Sequence, residues 1–126
     1  AVDLVKMCED AVVALMIEKK SAVEHLEEIL SVDGVDMAQF GPSDYSISIG
    51  APGERNHPKV IEAELKTIKT ALKMDVVPRV ELWRPEDAQR YIDMGIRHFS
   101  IGTDASILFD WWKRNGSELR GILTRK

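Results

Sequence analysis

Two acids stand where βα proteins do their chemistry. Glu18 follows the apolar run AVVALMI (11–17), and Asp44 follows GVDMAQF (34–40) across a Gly41-Pro42-Ser43 break. In parallel folds built from βα units, sites collect where strands end and helices begin. Carboxylates at the ends of adjacent strands can converge on one point. One or two carboxylates, with water and substrate oxygens, are usual ligands of a hard cation such as Mg²⁺. A helix that starts beside such an ion points free N–H groups at an anionic ligand. The other strand-end candidates are Arg79 and Glu81 in DVVPRVEL (75–82) and Gly102-Thr103-Asp104 after IRHFSI (96–101).

Four short apolar runs, each followed by a helical pattern, must position these residues. Val23, Leu26 and Leu30 mark one helical face, with Ser21 and Glu24 at capping-box spacing. Ile61, Leu65, Ile68 and Leu72 mark a second face, behind Pro58 as a first-turn proline. RPEDAQRYIDMG (84–95) opens on Pro85 and stops at Gly95. TDASILFDWWKRNG (103–116) has Thr103 or Asp104 as its cap and Asn115-Gly116 as its stop, with SELRGIL (117–123) as a further helical turn or two. The longest loop is expected at 45–57, a length that is often functional. Repeated βα units give a parallel sheet with helices outside. Four units are half of an eight-stranded barrel, which typically needs about 250 residues. The alternatives are a small open α/β sheet or a piece of something larger.

The chain has 126 residues, a net charge of −4 and 30% charged residues, with a pI near 5.4. This balance argues against broad nucleic-acid binding. The single cysteine, Cys8, allows no intrachain disulfide and fits a reducing cytoplasm. No apolar run reaches the roughly 18–20 residues of a membrane helix. The opening AVDLVKM has no signal-peptide character; it also lacks an initiator Met, so an upstream segment is expected.

The segments MIE (16–18) and GVDMAQFGPSD (34–44) resemble the HpcH/HpaI aldolase/citrate lyase family, and HP (57–58) and GTDASIL (102–108) are similar to later family segments. The resemblance spans essentially the whole chain but only the C-terminal half of a family member. It implies a (β/α)8 TIM barrel, with residues 1–126 supplying about its last four βα units. It implies metal-dependent class II aldolases that cleave or form 4-hydroxy-2-keto acids. Glu18 and Asp44 would bind a divalent ion (Mg²⁺, Mn²⁺ or Co²⁺), which would chelate pyruvate and stabilise its enolate. Main-chain groups of the turn Gly41, Pro42, Ser43 and Asp44 would hold the keto acid carboxylate. The partners implied are pyruvate or another 2-keto acid and an aldehyde. A homo-oligomer is implied as well, a hexamer with exchanged terminal helices being one form. The family's catalytic His and substrate-binding Arg belong to the other half, so no base is assigned here. Citrate lyase β-subunit-like and malyl-CoA lyase-like enzymes are the alternative within the family. A catalytically incomplete half-barrel, folding by pairing with its other half or itself, is the alternative of another class.

Three departures from the family pattern involve four positions. Met16 replaces a frequent Gln, Tyr45 replaces the usual Leu, and Arg79 and Glu81 replace small or apolar residues. With Thr103, these are the pocket candidates. The remaining polar and aromatic residues have structural readings. Glu18 could serve a helix dipole and Asp44 an N-cap; Arg79 and Glu81 read as a structural polar pair, and Asp104 as a cap. His25, His57 and His98 share no spacing with the carboxylates and read as non-catalytic. Phe109, Trp111 and Trp112 read as packing or as an oligomer contact, and Cys8 as inert.

Overall fold

The four apolar runs become four strands, each shorter than its run. They are Ala14–Ile17 (β1), Met37–Phe40 (β2), Val77–Leu82 (β3) and His98–Ile101 (β4). They form one all-parallel sheet in the order β1-β2-β3-β4. The helices are Val2–Glu9 (α1), Lys20–Glu24 (α2), Leu26–Leu30 (α3), Pro42–Ser48 (α4), Pro58–Lys73 (α5), Ala88–Ile92 (α6) and Asp104–Leu123 (α7), with a 3-10 turn at Pro85–Asp87. The computed structural model describes residues 2–124. The chain is therefore α/β, four βα units in the arrangement of half a (β/α)8 barrel.

Strand alternation divides the sheet into two unlike faces. One face carries Ile17, Ala38, Phe40, Val80 and Leu82, all buried under the helices. Val23, Leu26 and Leu30 are buried against it as their spacing requires. Burying a side chain such as Leu26 or Ile17 stabilises the fold by about 1.5–3 kcal/mol relative to leaving it exposed.

Helix α5 lies across β2 and β3, but on a face turned from the expected one. Val60, Ala63, Thr67, Ile68 and Ala71 are its buried residues, whereas Ile61 and Leu72 are 44% and 40% exposed. Ala63 and Ala71 pack against the sheet beside Val60 and the expected Ile68, whereas Ile61 and Leu72 are displaced toward the flanks.

The opposite face of the sheet is largely open, Gln39 being the buried residue on it among those described. Met16, Gln39, Arg79 and His98 form one register row across all four strands, and Glu81 pairs with Ser100 beyond it. Met16 is 46% exposed and Val77 38%. Helices α1 and α7 bury no residue at all. Parallel sheets are normally covered on both faces, so this face has the character of a barrel interior.

Several local signals resolve differently from their sequence reading. Ser21 caps nothing: the helix begins one residue earlier, at Lys20, whose N–H donates to the Ser48 hydroxyl at 3.0 Å. A neighbouring helix supplies the cap, and His25 divides the segment into α2 and α3. Pro58 does sit in the first turn of α5, and His57 is its N-cap, accepting from the Lys59 N–H. Gly95, at φ 94°, ends the α6 segment as expected. Thr103, not Asp104, caps α7 through a capping box with Ser106. Asn115-Gly116 does not stop that helix. The Asn115 side chain donates to the Trp111 carbonyl one turn back, Gly116 keeps a negative φ, and α7 runs on to Leu123. The expected loop 45–57 is helical as far as Ser48 and shortens to 49–57. Helix α1 had no counterpart in the sequence reading.

Candidate active site

The ends of β1 and β2 are fastened together where the two acids sit. The Gly41 N–H donates to the Ile17 carbonyl at 3.0 Å, placing the residue after β2 beside the residue after β1. Glu18 is half-buried, and its side chain runs directly across Gly41. A Cβ at position 41 would lie 2.7 Å from Glu18 Cγ and 2.9 Å from Oε1. Only a glycine leaves that path free.

Pro42 then opens α4, and Asp44 is exposed in its first turn. The Tyr45 N–H donates to the Gly41 carbonyl, whereas the Ser43 and Asp44 N–H groups precede any intrahelical acceptor. Among the described residues, neither the Glu18 nor the Asp44 carboxylate accepts a hydrogen bond or joins an ion pair. No cluster of three His, Cys, Asp or Glu forms among the described residues. The donor set is thus two hard, unengaged carboxylates. It fits a Mg²⁺-like ion that keeps water and substrate oxygens as its other ligands; it does not resemble a His- or Cys-rich zinc site.

The other candidates separate. Met16, Arg79 and Glu81 lie on the open face of the sheet, so the period-two reading of β3 holds. No ion pair joins Arg79 to Glu81 among the described residues. Thr103 is exposed and engaged in capping α7. Tyr45 does not turn toward the acids. It is 6% exposed, packs its ring 5.1 Å from that of Phe40 and belongs to the helix-side core. Burial first, then the carboxylates of Glu24 and Glu62, holds its phenol above the usual range. Its outer edge lines a cleft of about 440 Å³ with Lys20, Lys59 and Lys66, on the far side from the open face.

Three residues near this site, Gln39, Arg55 and Trp83, escaped the sequence reading, and a fourth, His98, reads there as non-catalytic. Gln39 is buried on β2, and its Oε1 has no partner among the described residues. A polar residue in the inward phase of an apolar run was the available signal. His98 shares the register row of Arg79. Arg55 Nη2 donates to the Ser43 hydroxyl at 2.5 Å, and its guanidinium lies 4.6 Å from the centre of the Trp83 ring. Arg55 and Trp83 are distant in sequence, and no spacing marks them as partners.

A sequence model of the HpcH/HpaI aldolase/citrate lyase family matches residues 6–110. The chain is 35% identical over 100 residues to a hydroxypyruvate/pyruvate aldolase of Delftia acidovorans, covering 79% of this chain and 37% of that protein. It is 32% identical over 107 residues to a 4-hydroxy-2-oxo-heptane-1,7-dioate aldolase of Klebsiella pneumoniae, covering 84% and 40%. The chain thus spans about two fifths of the length of these relatives. Among solved structures it superposes on the citrate synthase SbnG with a TM-score of 0.83 at 22% identity, covering 95% of this chain and 50% of that one; this likeness carries the fold alone. Of the described residues, no helix is long and apolar enough to cross a membrane. By the match over 6–110, this chain belongs to the HpcH/HpaI aldolase/citrate lyase family.

Proposed function

We propose that residues 1–126 are the C-terminal half of a single (β/α)8 domain. The whole protein is then a divalent-metal-dependent carbon–carbon lyase that cleaves or forms 4-hydroxy-2-keto acids through a pyruvate enolate. The observation that carries this reading is the unengaged Glu18 carboxylate laid across Gly41, at the head of the turn that bears Asp44. The names of the aldolase relatives support the substrate class. The bare sheet face and the partial coverage of those relatives support the half-domain.

In this reading Glu18 and Asp44 hold Mg²⁺, Mn²⁺ or Co²⁺, which when bound supplies Lewis-acid stabilisation of charge developing on the keto oxygen. The Ser43 and Asp44 N–H groups receive the keto acid carboxylate. Gln39, Arg79 and Glu81 line the interior behind the pocket. The general base and a substrate arginine come from the other half.

The test is a retro-aldol assay of the full gene product on 4-hydroxy-2-oxo-heptane-1,7-dioate, with pyruvate release as the readout. Chelation lowers the rate at least 100-fold, and added Mg²⁺ or Mn²⁺ restores it. A rate indifferent to chelator refutes the metal assignment.

Helix α7 presents Leu108, Phe109, Trp111 and Trp112 to solvent. We read it as the contact with a second copy, consistent with an oligomer that exchanges terminal helices. Sedimentation of the full gene product checks this. Trp112→Glu is expected to lower the assembled mass, and a wild-type monomer would show that α7 closes its own barrel instead.

A further inference from the structure

Arg55 is a cation built into the rim of this site. It sits in the loop 49–57, which is folded on itself and pinned to α4. The Ser46 hydroxyl accepts the Gly53 N–H at 3.1 Å and donates to the Ser43 carbonyl at 2.6 Å, and Ser46 is fully buried. Successive turns join Ala51 to Glu54, Gly53 to Arg55 and Glu54 to His57. The side chain is aimed as well as anchored. One Nη2 proton goes to Ser43, the residue before Asp44, and the guanidinium carbon lies over the ring of Trp83, the first residue after β3. The charge therefore lies between the C-terminal ends of β2 and β3. Among the described residues no carboxylate pairs with it, and its Nε and Nη1 donors carry no hydrogen bond. A half-buried guanidinium held by a hydroxyl and an aromatic ring, with no protein anion, is arranged to take an external one.

We propose that Arg55 is a specificity-determining residue that receives a carboxylate at the far end of the aldehyde-derived half of the substrate. This rests on the aldolase reading above, in which the keto acid carboxylate already has its donors at Ser43 and Asp44. The remaining Nη2 proton, with the Nε–H or Nη1–H beside it, matches a planar carboxylate in a forked contact. A single fixed charge suits that group better than a phosphate dianion. A lysine could not reproduce the fork.

The experiment uses the full gene product and two substrates, 4-hydroxy-2-oxo-heptane-1,7-dioate and 4-hydroxy-2-oxoheptanoate, which lacks the distal carboxylate. Arg55→Met is expected to lower the ratio of their kcat/KM values at least tenfold, with most of the change in KM, and Arg55→Lys to restore it partly. A ratio unchanged within twofold overturns the proposal, even if both rates fall, because a merely structural role would depress both alike. A binding arm keeps this separate from the aldolase reading. Succinate, and not butanoate, should shift the tryptophan emission of the wild type, and the shift should vanish in Arg55→Met and in Trp83→Phe. If the protein is inert toward both substrates but the succinate response behaves so, the carboxylate site stands and the aldolase reading falls. If catalysis is present with no discrimination and no succinate response, the aldolase reading stands and the role of Arg55 falls. Absence of activity and of response overturns both.

Discussion

Glu18→Gln is expected to lower metal-dependent retro-aldol turnover by roughly 10³-fold while leaving the fold intact. The magnitude follows from removing charge where an ion must be held and where transition-state charge is stabilised. The amide has the shape of the acid and can still lie across Gly41, so the change isolates the charge. The native carboxylate makes no hydrogen bond or ion pair among the described residues. Its loss therefore leaves no protein donor unpaired, and stability should move by no more than about 0.5 kcal/mol. The structural alternative predicts the reverse pattern. An acid just before α2 that merely favours its dipole would lose about 0.3–1 kcal/mol of stability on neutralisation and little activity. Thermal melting and steady-state kinetics on the same preparation separate the two. More than a tenth of wild-type activity in Glu18→Gln, in metal-saturated buffer, would show that Glu18 is not a ligand.

What could be read in the sequence was what repeats or lies locally. The βα order was legible because β-branched runs and capped helical stretches alternate, and alternation of this kind has few topological solutions. The acids were legible because strand ends in parallel folds are privileged positions. Contacts set by close approach were not. Hydrophobicity selected Ile61, Leu65, Ile68 and Leu72 as the buried face of α5; Ile68 is buried, but close packing selected Ala63 and Ala71 in place of Ile61 and Leu72. Tyr45 was placed near the site by its neighbour Asp44, yet one helical step turns a side chain by about 100°, and Tyr45 faces the core. Asn115-Gly116 has the composition of a stop, but the Asn115 side chain closes on its own helix. Arg55, Ser43 and Trp83 meet only because the segments after β2 and after β3 converge, and no local pattern records that.

The relation between Glu18 and Gly41 belongs to the same class, and it leads to the second large effect. Gly41→Ala is expected to reduce activity about 100-fold and weaken metal affinity at least tenfold, without destabilising the protein. Gly41 has φ −103° and ψ 89°, a negative φ open to any residue, with ψ short of the range a residue before proline prefers. Alanine can take a negative φ of this kind, so the backbone itself does not require glycine. Replacing glycine there should even add about 0.4–1 kcal/mol of stability by restricting the unfolded chain. The only conflict is the new Cβ, 2.7 Å from Glu18 Cγ, which forces the carboxylate into another rotamer. A small misplacement of a positioning group is enough for a loss near 10²-fold. The mechanism has a signature beyond the single variant. If Gly41→Ala acts through Glu18, the double variant Gly41→Ala with Glu18→Gln should be no slower than Glu18→Gln alone, because two changes to one interaction are not additive. Additive losses in that cycle would mean that Gly41 serves the turn and not the acid. Full activity in Gly41→Ala would mean that the carboxylate works from some position other than the one it holds across Gly41.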